Sequence, residues 1–386
     1  MTTKRTNRRS SPNRSLPTRP TVAEIDLSAI AFNLKGIRAR VGPKVKVMAV
    51  VKANAYGHGI EAVARFVERP LADYFGVATA EEGVVLREVG IRKPIHIFTL
   101  PANPQARLVT DFNLEPTICG SEDIRILEKA GQKARKTIPV HLKIETGMNR
   151  VGVRKEDLGI LLRELARAKH VEIKGIYTHF ANADERDKQF LHAQLHEFRA
   201  ALALLDRDGV KADLVHCANS AAILDVPESW FSMVRPGVMM YGYYPSKTTT
   251  ESIQLRPAMR LQTSVAMVKW IEEGETVSYG RRFTAIRRTQ IATLPVGYAD
   301  GITRLLTGKA SVLLGGKLFP VAGTICMDQL MVDVGDSRIE RGDTAVLIGA
   351  QNGAHQSAWD LAEAIGTIPY EICCAISSRV PRVYHR

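Results

Sequence analysis

Lys52 closes an apolar run, Val45–Val51, and opens the stretch Lys52-Ala53-Asn54-Ala55-Tyr56-Gly57-His58-Gly59. An amine at the end of a buried strand loses solvation, which lowers its pKa and makes the neutral base or nucleophile available. Other apolar runs also end in polar groups. These are Lys143, with Arg150 in the following turn; His179; His216, followed by Asn219-Ser220; and Arg235-Pro236-Gly237. Ser220, Gly237 and Val238 supply the small hydroxyl and backbone donors that hold a phosphate in barrel sites. A lysine facing a phosphate cradle is the arrangement that binds pyridoxal phosphate as a Schiff base.

For these ends to meet, the runs must lie side by side with their C-termini on one face. The runs are Val45–Val51, Tyr74–Ala78, Ile95–Leu100, Leu114–Cys119, Val140–Ile144, Ile173–Thr178, Leu214–Cys217 and Val234–Tyr241. Segments with apolar residues near 3.6 spacing separate them, such as Ser121–Gln132 and Lys188–Asp206. Strand and helix in alternation imply a parallel sheet, and this many strands fit an α/β fold of (β/α)8 TIM-barrel type better than an open doubly wound sheet. The barrel is expected over 21–250. After Pro257 the helical spacers fade and runs such as Leu261–Ile271, Gln290–Pro295 and Leu330–Val334 alternate with turn signals, so a mostly β C-terminal domain is expected over 251–386, interrupted by a short helix near Ser357–Ile365.

The chain has 386 residues and a formal net charge of +13. A nucleic-acid partner is one reading of such a charge. Six of those charges, Lys4, Arg5, Arg8, Arg9, Arg14 and Arg19, fall within 1–20, a stretch without acids, which leaves +7 for the rest. That segment has too few apolar residues to fold and reads as a disordered basic tail. With the body only mildly basic no nucleic-acid partner is expected, a nucleic-acid arm formed by the tail being the alternative reading, and no run is long enough to span a membrane. The five cysteines are scattered without a C-x-x-C pair, which fits a reducing cytoplasm. His192 and His196 have metal-ligand spacing but no third ligand, so they read as a solvated helix face and no metal is expected. Cys326 has no base beside it in sequence and reads as packing.

Val51-Lys52-Ala53-Asn54-Ala55-Tyr56-Gly57-His58-Gly59 resembles the cofactor-lysine signature of the alanine racemases. Further motifs occur in the family's order: His141–Met148 with Arg150, Thr178–Asp184, Ala218–Ala221, Arg235–Gly237, Val277–Gly280, Val296–Gly301, Ile325–Asp328 and Arg379–Arg382. The resemblance runs from about Thr21 to the C-terminus. It implies racemisation of L- and D-alanine with pyridoxal 5'-phosphate, serving either D-alanine supply for peptidoglycan precursors or alanine breakdown. Two bases on opposite faces are needed, and the resemblance assigns Lys52 to one face and Tyr279 to the other. An ordinary tyrosine pKa of about 10 is too high for a base at neutral pH, so Tyr279 needs a partner. The matching position is His179, placed in turn by Arg235.

The resemblance also has Arg235 face the cofactor's ring nitrogen, where a guanidinium cannot accept a proton, so the ring stays neutral and transamination is suppressed. Tyr56, Ser220, Gly237 and Val238 would hold the phosphate, Arg150 the phenolic oxygen, and Met327, Tyr298 and Arg150 the substrate. Lys143 matches a lysine carbamylated in some members, and Asp184 and Arg304 would line the access channel. Tyr279, Tyr298 and Met327 lie outside the barrel, and the family completes each site across a homodimer. One position departs: Ser377-Ser378-Arg379 stands where the family commonly has Ser-Tyr-Arg. The smaller Ser378 would enlarge the pocket and extend turnover toward serine. Two other readings share the barrel, a pyridoxal-phosphate amino-acid decarboxylase and a non-catalytic pyridoxal-phosphate-binding protein. Arg235 speaks against the first, and the β domain with Tyr279 against the second.

Overall fold

The computed structural model describes residues 18–386. The basic tail therefore lies outside the described residues as far as position 17. Arg19, read as part of it, is held: its guanidinium reaches both oxygens of the buried Asp300 at 2.6 and 2.7 Å. The described residues fall into two compact units. One comprises Glu24–Arg260, Ser357–Ser377 and Tyr384–Arg386; the other comprises 18–23, Leu261–Gln356 and Ser378–Val383.

The chain enters through β1 (Val22–Asp26), and the Asp26 carboxylate caps the helix Leu27–Val41 by accepting from the Ala29 N–H at 3.0 Å. The larger unit is then built on eight parallel strands: β2 (Lys46–Val50), β3 (Tyr74–Val77), β4 (Ile95–Ile97), β5 (Glu115–Ile118), β6 (Ile138–Lys143), β7 (Val171–Tyr177), β8 (Leu214–His216) and β9 (Met233–Val234). Each of β2 to β7 pairs with its successor, and β9 returns to pair with β2, Lys46 opposite Met233 and Val47 opposite Val234. At the seam between β8 and β9 the Ser232 hydroxyl accepts from the Val215 N–H at 2.7 Å, and the Arg235 N–H donates to the Ala218 carbonyl at 2.9 Å. The strands read as apolar runs because they are covered on both faces. Val47, Met48, Ala49, Phe75, Ile95, Val140 and Leu142 are all fully buried.

The smaller unit is antiparallel. Its strands include β10 (Met259–Ser264), β11 (Met267–Ile271), β12 (Thr276–Val277), β13 (Phe283–Thr284), β14 (Thr289–Leu294), β15 (Ser311–Leu314), β16 (Lys317–Pro320), β17 (Leu330–Gly335), β18 (Thr344–Gln351) and β19 (Ala354–Gln356), with β20 (Arg382–His385) near the end of the chain. β11, β14 and β17 make a three-stranded sheet. Ile271, Val277, Ala285, Ile291 and Ala322 pack a core there.

Two runs differ from their sequence reading. Val234–Tyr241 is not one strand: Pro236 carries no donor for a ladder, the backbone turns at Gly237, and Val238–Tyr241 forms a 3-10 turn. Leu261–Ile271 divides into β10 and β11, which belong to different sheets. The helix at Ser357 is present as Ala358–Ile365, with the Ser357 hydroxyl accepting from the Asp360 N–H. Together with the helix Pro369–Ala375 it groups with the barrel unit rather than with the strands that precede it.

Candidate active site

Lys52 stands just past β2 and opens a turn of unusual backbone. Ala53, Asn54, Ala55 and Tyr56 are all left-handed, with φ between 52° and 54°. L-residues disfavour this conformation by about 1–2 kcal/mol each, so neighbours must hold it. The Glu82 carboxylate accepts from the Ala53 N–H at 2.6 Å and the Ala78 N–H at 2.8 Å, tying the turn to the end of β3. The Asn54 side chain accepts from the Ile60 N–H at 2.9 Å, and the Tyr241 hydroxyl donates to the Val50 carbonyl at 3.0 Å. The strained turn points Lys52 into the barrel mouth. Burial there lowers its pKa, and the charge of Arg150 lowers it further.

The mouth holds a cavity of about 500 Å³ lined entirely from the barrel unit. Lys52, Tyr56, Lys143, Arg150, His179, Asp184, Ser220, Arg235, Gly237 and Val238 all face it, so the structure brings together the barrel residues singled out in the sequence. At one side the Gly237 N–H donates to the Ser220 hydroxyl at 3.0 Å. A Cβ at Gly237 would stand 2.5 Å from the Tyr56 hydroxyl oxygen, so only glycine leaves this corner open. Asn219 caps the short helix Ser220–Asp225 behind it, accepting from the Ala222 N–H at 3.1 Å.

Arg235 is buried across the cavity. One terminal nitrogen donates to His216 Nδ1 at 2.9 Å; the other donates to His179 Nδ1 at 3.1 Å and to the Thr178 and Cys217 carbonyls. With Nδ1 accepting, the neutral His179 carries its proton on Nε2. Burial, then the Arg235 charge, pushes His179 well below the usual histidine value. Burial also brings Lys143 down to about 8.

The second unit presents its own group. Ser278, at φ 68°, turns the chain into Tyr279; its hydroxyl donates to the Thr324 carbonyl at 2.6 Å, and the Thr324 hydroxyl donates to the Tyr279 carbonyl at 2.7 Å. The Tyr298 and Ala299 N–H groups donate to the Cys326 and Met327 carbonyls at 3.0 Å. Gly297 permits that approach, since a Cβ there would lie 2.3 Å from the Cys326 carbonyl oxygen. The loops carrying Tyr279, Tyr298 and Met327 are thus bonded to one another. All three side chains are exposed, 73%, 39% and 52%, and none lines the barrel cavity. Ser378 and Arg304 are exposed in the same unit. The sequence reading missed Glu82 and Tyr241, which hold the left-handed turn. It also missed Glu115 and gave His141 and His216 no role, although each is a polar residue inside an otherwise apolar run.

Such a barrel, with a desolvated lysine, an open glycine corner and a buried arginine at its mouth, defines an α/β-barrel protein whose mouth has the space and the donors for a small anionic ligand beside an amine. Profiles described as "Alanine racemase, N-terminal domain" and "Alanine racemase, C-terminal domain" match residues 25–245 and 258–384. The alanine racemase of Symbiobacterium thermophilum is 44% identical over 367 residues, which cover 95% of this chain and 97% of that protein. For the alanine racemase of Geobacter sulfurreducens the figures are 42% over 374 residues, 96% and 98%. The crystal structure of the Bacillus anthracis alanine racemase with bound L-Ala-P matches with a TM-score of 0.92 at 36% identity, covering 95% of each chain. The chain belongs to the alanine racemase family.

Proposed function

We propose that the protein interconverts L- and D-alanine with pyridoxal 5'-phosphate. The carrying observation is the barrel mouth. It joins a lysine of lowered pKa, a corner that any side chain at Gly237 would fill, and a buried arginine that can only donate. These residues fit the cofactor. Lys52 would bind its carbonyl carbon, Tyr56, Ser220, Gly237 and Val238 its phosphate, Arg150 its phenolic oxygen and Arg235 its ring nitrogen. When bound, the cofactor supplies an electron sink that acidifies the alanine Cα–H.

The chain's own residues do the rest. The Lys52 amine takes or returns the proton on one face, and the Tyr279 hydroxyl does so on the other. His179 Nε2–H stabilises the phenolate, and Arg235 fixes His179 through Nδ1. Because Arg235 has no acceptor, it leaves the ring nitrogen unprotonated and limits transamination and decarboxylation. Met327 and Tyr298, with Arg150, position the substrate carboxylate and side chain. The low pKa of Lys143 favours the neutral amine that takes up carbon dioxide as a carbamate.

Each site is completed in a homodimer, by Tyr279, Tyr298 and Met327 of the partner subunit. Their exposure on a unit whose loops are already bonded together supports this reading. The free cysteines fit the cytoplasm. Among the described residues no helix is long and apolar enough to cross a membrane. Ser378 is exposed on the smaller unit, and the family resemblance gives its small side chain the role of extending turnover toward serine. Incubating the purified, cofactor-loaded protein with L-alanine tests the function: D-alanine on chiral chromatography is expected, and carbon dioxide release or unchanged L-alanine contradicts it.

A further inference from the structure

We infer that Glu115, at the floor of the barrel, is a positioning residue for Arg235, to which it is joined by a one-way chain of hydrogen bonds through His216 and His141. This rests on the proposed role of Arg235 at the cofactor ring.

The geometry fixes the direction of every bond. Arg235 has donors only, so its contact with His216 Nδ1, at 2.9 Å, makes that nitrogen an acceptor. Neutral His216 must then carry its proton on Nε2 and donate it to His141 Nδ1, also at 2.9 Å. His141 in turn carries its proton on Nε2 and donates to Glu115 Oε2 at 3.0 Å. The chain crosses the barrel from the segment after β9 to β8, β6 and β5, and both imidazoles are fully buried. Burial holds both far below the usual histidine range, His141 at about 3, so they relay as neutral rings. Tyr177 stacks on His216 at 4.9 Å between centroids. Gly175 on β7 clears the space for His141, since a Cβ there would stand 2.3 Å from Nδ1. Reversing the chain would place a hydrogen on His216 Nδ1 against the Arg235 donor. Glu115 is therefore the terminal acceptor of the chain that begins at the buried guanidinium.

Several groups face that carboxylate. They are the Tyr74 hydroxyl from β3 at 3.5 Å, His141 from β6, Lys46 from β2, Lys174 from β7 and Arg87 from the helix Ala80–Glu88, while His96 of β4 donates to the Glu115 backbone carbonyl at 3.0 Å. Burial dominates and pushes Glu115 up to about 7, so its charge is lost as pH falls through neutrality.

The test uses cofactor-loaded wild type, Glu115→Gln and Glu115→Leu. Two readouts are needed: the tautomers of 15N-labelled histidines by NMR, and the pH profile of kcat. In the wild type, His141 and His216 should both be neutral Nε2–H forms, and kcat should rise through a limb near pH 7. Glutamine still accepts but does not titrate, so Glu115→Gln should keep both tautomers, lose that limb and lower kcat about tenfold through loss of the charged acceptor. Glu115→Leu should scramble the tautomers; should it fail to fold, wild type and Glu115→Gln decide alone. Nδ1–H forms in the wild type, or an unchanged limb in Glu115→Gln, would overturn the inference. A wild type that does not racemise alanine would instead sink the functional reading, and the histidine spectra would still report on the chain.

Discussion

Lys52 works through desolvation, and that has a measurable consequence. Its pKa is lowered by burial and by Arg150, so the neutral amine becomes available below the ordinary lysine value. The rate at which cofactor-free protein takes up pyridoxal phosphate should rise with pH around a midpoint below that value; a midpoint at or above it would contradict the desolvation. Gly237 is constrained by space. Gly237→Ala brings a Cβ to 2.5 Å from the Tyr56 hydroxyl, an overpacking that costs about 1–3 kcal/mol and should raise the cofactor dissociation constant accordingly. Ser378 stands where the family resemblance leads one to expect a tyrosine. Ser378→Tyr should lower the serine-to-alanine ratio of kcat/KM, and an unchanged ratio would remove the argument for a widened pocket.

The elements were legible to different degrees, for physical reasons. The barrel strands were readable because parallel strands covered on both faces become short apolar runs. β9 was overread because Met239, Met240 and Tyr241 continue that apolar character beyond Pro236-Gly237 as a 3-10 turn. The left-handed turn gave no signal, because Ala53, Asn54, Ala55 and Tyr56 include no glycine, and its support comes from Glu82 on another element. The floor chain was hidden for a similar reason: Glu115, His141 and His216 come one to a strand and meet only across the barrel. Glycine adopts left-handed backbone without the Cβ penalty. Ala53→Gly, at φ 53°, should therefore raise the thermal midpoint by an amount corresponding to about 1 kcal/mol. A lower midpoint would mean that the turn is not strained. Glu82→Ala should act the other way, leaving the Ala53 and Ala78 N–H groups without their acceptor at about 1–3 kcal/mol.

At the scale of the molecule, the +13 charge is divided: six basic residues lie within 1–20, and Lys52, Arg150 and Arg235 line a cavity suited to an anion. The barrel cavity is lined by one unit while Tyr279 is exposed on the other. If the partner subunit completes each site, two inactive proteins should rescue each other. Lys52→Ala and Tyr279→Phe, dissociated and mixed, should regain activity in the heterodimer, where one site keeps both bases; absence of rescue would place both bases in one subunit. The most direct measurement is made at Cα itself. L-alanine is incubated with the cofactor-loaded protein in deuterated water, and each enantiomer is analysed for deuterium. Because the enantiomers have equal free energy, two-base racemisation predicts an equal mixture in which the newly formed D-alanine carries deuterium at Cα. D-alanine without solvent deuterium, exchange confined to L-alanine, or loss of carbon dioxide would contradict it.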